Sequence, residues 1–136
     1  MAGFFDGEGS FIISIKRPHT TFFTARLGNT DFKSVKLFKK VFGGSLCSLP
    51  QKEGYKPMLV WSSCYTDAEL CAKTLLPYLK VKAKQAKLAL DYCKYRRKTH
   101  KNGYGQGYKL PESIIQSDLQ YRKQMSELNH GRRMKI

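Results

Sequence analysis

Residues 10–16, Ser-Phe-Ile-Ile-Ser-Ile-Lys, alternate in a period of two that predicts a strand, with Phe11, Ile13 and Ile15 on one side and Ile12, Ser14 and Lys16 on the other. Pro18 ends that run. Alternation resumes over residues 22–28, where Phe23, Ala25 and Leu27 oppose Phe22, Thr24 and Arg26, so the two runs predict an antiparallel hairpin with one core face and one open face. The spacing then turns helical over residues 31–42: Asp31 stands at the start, Val35, Phe38 and Phe42 share a face, and Gly43-Gly44 stop the helix. Residues 45–49 and 56–63 predict a second strand pair, joined through Pro50 and Gly54, with Trp61 assigned to the core and the facing of the other positions left open. A second strand–strand–helix unit thus follows the first.

Thr66-x-x-Glu69 reads as a capping box that opens a helix burying Ala68, Ala72, Leu75, Leu76 and Leu79, with Pro77 distorting its last turn. From about Lys82 to Lys98 another helix is expected, with Ala83, Ala86, Leu90 and Cys93 on one stripe. Residues 99–110 form a basic linker rich in Gly and Tyr, and Pro111 to Asn129 spaces Ile114, Tyr121, Met125 and Leu128 along a final helix. The 136 residues suit one domain, with a core over 1–98 and an extension of the same domain over 99–136.

Charge changes the picture. Twenty-five Lys and Arg against 10 Asp and Glu leave +15, which favours a polyanionic partner. The excess is concentrated: residues 1–72 carry a net +3 and residues 73–136 a net +12, too local for a face kept only for solubility. Cys47, Cys64, Cys71 and Cys93 form no C-x-x-C pair and have no histidine at finger spacing, so buried free thiols in an intracellular, reducing compartment are expected rather than zinc or disulfides. The chain shows no secretory signal and no apolar run of the roughly 20 residues that a membrane span needs, so no membrane partner is expected.

The densest chemistry lies at the start, in Met1-Ala2-Gly3-Phe4-Phe5-Asp6-Gly7-Glu8-Gly9-Ser10-Phe11. Gly3 and Gly7, four apart, share one helix face and permit close contact with another helix. Asp6 and Glu8 follow where that helix should end. Two such helices side by side bring carboxylates from both copies together, an arrangement that divalent cations relieve. A calcium loop fails because Phe11 stands where glycine is required and Arg17 where a bidentate glutamate is. A phosphate loop fails for want of the Gly-Lys-Ser/Thr ending. A plain acidic turn leaves the glycine spacing idle.

Ala2-Gly3-Phe4-Phe5-Asp6-Gly7-Glu8-Gly9-Ser10-Phe11 resembles the motif of the LAGLIDADG homing endonucleases. Asn29-Thr30-Asp31 with Leu37 to Gly44 resembles the family's first strand-to-helix junction, and Leu76 to Ala86 resembles its Pro-Tyr-Leu…Lys…Lys-Gln-Ala segment. The likeness runs over about residues 1–95, and Met1 stands where the motif's leading leucine would be.

The resemblance implies an α+β fold of αββαββα order, its saddle-shaped antiparallel four-stranded sheet lying in the DNA major groove, with an extra C-terminal helix. It implies a site-specific DNA endonuclease that makes metal-dependent staggered double-strand breaks in a long pseudo-palindromic target, serving intron homing. One copy of the motif implies a homodimer formed through Ala2, Gly3, Phe4 and Gly7. Glu8 and the Gly7 carbonyl match the family's ligands to Mg²⁺, with Mn²⁺ as another possible cation; Lys82 matches its active-site lysine, and Asn29 and Lys33 fall where active-site water is organised. Ser14, Lys16, Thr24 and Arg26 on the open strand face, with Arg17 and His19 at the hairpin tip, are the expected DNA contacts, Arg26 being suited to guanine. Lys80 and Lys84, with the rest of the 80–101 stretch and Arg132 and Arg133, are expected to hold phosphates. The expected partners are double-stranded DNA and a second copy of the chain, with intron RNA a further partner. The alternative is a non-catalytic nucleic-acid binder on the same scaffold, an intron maturase or a decayed DNA binder; a basic ribonucleoprotein component explains the charge but not the glycine-acid motif.

Overall fold

The two alternating runs near the start of the chain pair as expected, and the second hairpin joins them in one sheet. The computed structural model describes residues 1–16, 20–50, 53–99 and 111–130. Its elements in chain order are α1 (Ala2–Glu8), β1 (Gly9–Lys16), β2 (Thr20–Asn29), α2 (Phe32–Phe42), β3 (Ser45–Leu49), β4 (Met58–Cys64), α3 (Thr66–Leu75), a 3₁₀ turn (Leu76–Tyr78), α4 (Ala83–Thr99) and α5 (Glu112–His130). The fold is α+β, and its four strands are antiparallel in the order β1-β2-β4-β3.

Register explains which residues become core. Phe11 lies opposite Ala25, and Leu27 and Leu46 both lie opposite Trp61, so these positions share the face that the helices cover. Phe11, Ile13, Phe23, Ala25, Leu27, Leu59 and Trp61 are buried there. Ile15, near the strand end, is only half-buried. From α2, the Phe38 ring meets Phe5 at 6.1 Å, Phe42 at 5.9 Å and Trp61 at 5.3 Å. The one polar atom of Trp61 is satisfied, its Nε1 donating to the Gly43 carbonyl at 2.8 Å. That close approach needs Gly43-Gly44, which hold φ of +80° and +86°; a Cβ on Gly44 would come within 2.5 Å of the Ser62 carbonyl.

Further expectations are corrected. Thr66 does not cap α3: Tyr65 is the N-cap residue, at φ +52°, and no side chain caps the helix. Tertiary contacts hold that turn instead, the Tyr65 hydroxyl donating to the Thr21 carbonyl and its N–H to the Phe23 carbonyl. Glu69, freed from capping, accepts from Arg97 of α4 at 2.6 Å. Cys47 and Cys64 are exposed, because strand alternation puts them on the uncovered face; only Cys71 and Cys93 are buried. Along α4 the buried side is Gln85, Ala86, Ala89, Tyr92 and Cys93, with Leu90 at its margin.

The final helix, α5, packs against β1 and α4. Met125 is buried as expected, but Leu128 is exposed and Asp118 is buried in the stripe. Asn129 Nδ2 donates to the Phe11 carbonyl at 2.9 Å, and Gln85 Nε2 donates to the Leu128 carbonyl at 3.3 Å. β1 is an edge strand, so α5 covers backbone that would otherwise template another strand. Among the described residues, no helix is long and apolar enough to cross a membrane.

Asp31 caps α2, its carboxylate accepting from the Ser34 hydroxyl at 2.7 Å and from the Ser34 N–H. The Ser34 hydroxyl, then the Ser34 N–H, hold its pKa below the ordinary 3.8. A depressed folded-state pKa contributes stability above pH 3.8 that is lost as pH falls through the folded value. Asp31→Ala is therefore expected to lower the melting temperature at pH 7, with the gap to wild type closing below pH 3.8. A gap unchanged from pH 7 to pH 2.5 in thermal melts counts against this account.

Candidate active site and nucleic-acid face

α1 is seven residues long and ends at Glu8, directly before β1. Asp6, inside its last turn, turns toward the segment before α4 and accepts three main-chain hydrogen bonds: from Lys80 N–H at 2.8 Å, Val81 N–H at 3.1 Å and Lys82 N–H at 3.0 Å. Burial works to raise the pKa of Asp6, but these donors together with the Lys82 charge outweigh it and hold the carboxyl below the ordinary value. Lys82 returns the contact, its Nζ donating to the Asp6 carbonyl at 2.9 Å and reaching the Phe5 carbonyl at 3.5 Å. An ammonium there also complements the negative end of the helix dipole.

With Asp6 engaged, Glu8 is the exposed carboxylate at the end of α1, beside exposed Gly7. The glycine face is open: a Cβ on Gly3 or Gly7 would meet nothing within 4 Å. Ala2 and Gly3 border a groove with Thr74, Tyr78 and Lys80. Lys80 thus stands beside the glycine face, whereas Phe4 turns partly inward, its ring 6.2 Å from Phe38.

Gly9 pairs with Leu27, which brings the end of β2, and with it Asn29, to the end of the sheet where Glu8 stands. The Asn29 amide oxygen accepts from the Asp31 N–H at 2.8 Å, fixing the turn into α2, on whose first turn Lys33 is exposed. On the uncovered face of the sheet, Arg26 and Lys16 are exposed, with Lys16 Nζ 5.2 Å from the centre of the Phe22 ring. Ser14 and Thr24 share that face, Thr24 Oγ1 lying 3.8 Å from Cys64 Sγ. Lys84 is exposed on α4. Arg17, His19, Arg132 and Arg133 lie outside the described residues.

A cleft runs beside α1 and β1, lined by Gly7, Ser10 and Lys82 and, across it, by Arg122, Lys123 and His130 of α5. These three side chains were not singled out from the sequence. Nothing local marks them; only the packing of α5 on β1 brings them to this cleft.

The residues at the end of α1 suit a hard divalent cation. Glu8 offers a carboxylate and Gly7 a main-chain carbonyl, the oxygen donors that Mg²⁺ or Mn²⁺ prefers. Among the described residues no three His, Cys, Asp or Glu side chains gather in one chain. With Asp6 held by the 80–82 backbone, Glu8 is the exposed carboxylate that α1 itself brings to this point, and Glu127 of α5 lines the adjoining cleft.

No family model matches the chain, and no curated protein matches it either. Solved structures do. The chain is similar to the homing endonuclease I-CvuI in complex with its target, at 20% identity and a TM-score of 0.69, over 93% of this chain and 78% of that one. I-CvuI has been crystallised in the presence of Ca and, with a second target left uncleaved, of Mg. The LAGLIDADG homing endonuclease I-GzeII, bound to its DNA target, matches at 19% identity and a TM-score of 0.67, over 89% of this chain and 42% of that one. The homing endonuclease I-TnaI matches at 20% identity and a TM-score of 0.61, over 96% and 88%. The fold of this chain is the LAGLIDADG homing endonuclease fold.

The contact between Asp6 and the 80–82 backbone is testable. Asp6→Asn keeps the shape but removes the charge and one good acceptor, and is expected to cost about 1–3 kcal/mol in urea denaturation at pH 7. Glu8→Gln, which breaks no such contact, is the control. Equal midpoints for Asp6→Asn and wild type contradict the assignment.

Proposed function

We propose that the chain is a member of the LAGLIDADG homing endonuclease family and acts as a homodimeric, divalent-cation-dependent, site-specific DNA endonuclease. The observation that carries the reading is the end of α1, which carries exposed Glu8 and Gly7 and whose Asp6 carbonyl accepts from the Lys82 ammonium. Nearly the full length of I-TnaI but less than half of I-GzeII is covered by this chain, which supports a unit that works as two copies. The open Gly3–Gly7 face gives a second α1 room to pack closely.

In this reading Glu8 and the Gly7 carbonyl would hold the cation. When bound, Mg²⁺ or Mn²⁺ supplies an activated water and stabilises charge on the leaving 3′ oxygen. Lys82 places positive charge where negative charge develops on the scissile phosphate, and its hydrogen bonds to α1 carbonyls hold it there before substrate arrives. Asn29 and Lys33, at the same end of the sheet, orient water. Arg26, Lys16, Ser14 and Thr24 lie against base edges, Arg17 and His19 of the same segment of sequence are further DNA contacts, and Arg26 supplies the fork that reads guanine. Lys80, Lys84, Arg122, Lys123 and His130 hold phosphates, which position the duplex without reading it. The partner is duplex DNA, and the break is staggered across a pseudo-palindromic site.

Incubation with a sequence-diverse DNA library, followed by sequencing of new ends, tests the reading. Paired 3′-overhang ends at one pseudo-palindromic site are expected in Mg²⁺, absent in EDTA. Glu8→Gln is expected to cleave at below about one hundredth of the wild-type rate while still binding the site. Ends that persist in EDTA or in Glu8→Gln overturn the assignment; RNA retained in preference to DNA overturns the partner. For the α5 cations, Arg122→Ala with Lys123→Ala is expected to weaken binding to all DNA sequences alike and to reduce the slope of log K against log salt by roughly 2. An unchanged slope removes both residues from the interface.

A further inference from the structure

The open face of the sheet divides chemically between β2 and β4. Strands β1 and β2 present the charges of Lys16 and Arg26 there, with hydroxyls at Ser10, Ser14, Thr20 and Thr24 and half-buried Ile12 and Phe22 between them. The described residues of β4 and β3 present no charged side chain. Register puts Thr24 opposite Cys64, Arg26 opposite Ser62 and Gly28 opposite Val60, so the even-numbered positions of β4 share the face that carries Arg26. Cys47 pairs with Val60 and Leu49 with Met58, which adds the odd-numbered positions of β3.

This half is uncharged, and beside its Ser and Cys side chains it presents Met58 and Leu49. Met58 and Leu49 are half-buried and side by side, with Val60 next along the same face of β4 at 5% exposure. Gly28 is the reason they can spread toward β2: a Cβ there would lie 3.2 Å from Val60 Cγ2 and 3.3 Å from Met58 Sδ. The Ser45 and Ser62 hydroxyls face each other at 3.5 Å, which draws the nearest polar groups together. Guanine is read by Arg or Lys and adenine by Asn or Gln, and none of these stands in the described strands β3 and β4. The major groove offers one apolar group, the 5-methyl of thymine.

We propose that Met58 and Leu49 form a thymine-reading strip, recognising the base through its 5-methyl group. The inference rests on the reading that this face lies against duplex DNA. The sheet is continuous, and neighbouring strands lie about 4.8 Å apart, so a duplex seated on Arg26 also meets the adjoining strip. An unbranched thioether suits this task, since it moulds to a methyl group without a fixed donor geometry.

The test uses the full chain and the DNA site that it enriches from a random library. Each thymine of that site is replaced in turn by deoxyuridine, which removes only the methyl group. Wild type is expected to lose about fourfold in affinity at one thymine or more, the worth of one buried methyl. Met58→Ala is expected to bind the thymine and deoxyuridine forms of that position equally, while Met58→Leu keeps the discrimination and serves as the folded control. Equal binding of both forms by wild type at every position, or discrimination that survives both Met58→Ala and Leu49→Ala, overturns the strip and leaves the endonuclease reading standing. Failure of wild type to enrich any DNA sequence overturns both.

Discussion

A reciprocal clasp between the end of α1 and the segment before α4 sets the geometry on which the rest depends. Asp6 accepts from the main chain at three consecutive residues, and the third of these, Lys82, sends its ammonium back to α1 carbonyls. A seven-residue helix has too few internal hydrogen bonds to stand alone. The clasp and the burial of Phe5 against Phe11 and Phe38 hold α1 in place of length. Because β1 begins at the next residue, the same contact fixes where the sheet starts and where Glu8 points into solvent.

From that anchor the sheet sorts chemistry by face. The helices cover one side with aromatic rings, and Trp61, hydrogen-bonded to Gly43, ties the strand β4 to the end of α2. The uncovered side keeps the residues free to meet a partner. α5 then closes the exposed edge of β1 through Asn129 and brings Arg122 and Lys123 to the cleft beside α1. The +12 of the second half of the chain is thus partly delivered to the strand and helix ends supplied by the first half.

Much of this was legible because local rules and tertiary packing agreed. The alternation at 10–16 and 22–28 gave the right faces for Phe11, Ile13, Phe23, Ala25 and Leu27, and Asp31 with Gly43-Gly44 bounded α2 correctly. The facing of β4 was not legible, because Leu59-Val60-Trp61 is a continuous apolar run with no alternation to read. Thr66 misled because Tyr65 is pinned by Thr21 and Phe23, residues more than 40 positions away. The clasp itself spans 74 to 76 residues, so Asp6 and Glu8 look alike in the sequence and differ only in the fold.

That difference between the two acids is the central physical distinction in the candidate site. Neighbouring carboxylates in one motif would repel each other if both faced the same point. Here the helix directs Asp6 toward N–H donors, where its charge is spent on structure, and leaves Glu8 at the helix end with a carbonyl beside it. Under the proposed function, Glu8 and the Gly7 carbonyl would form half of a site for a doubly charged cation, and the unobstructed Gly3–Gly7 face would let a second α1 supply the other half. Holding Asp6 toward the 80–82 backbone separates it from exposed Glu8, so in the proposed reading one short helix would carry both the ligand and the surface that pairs it.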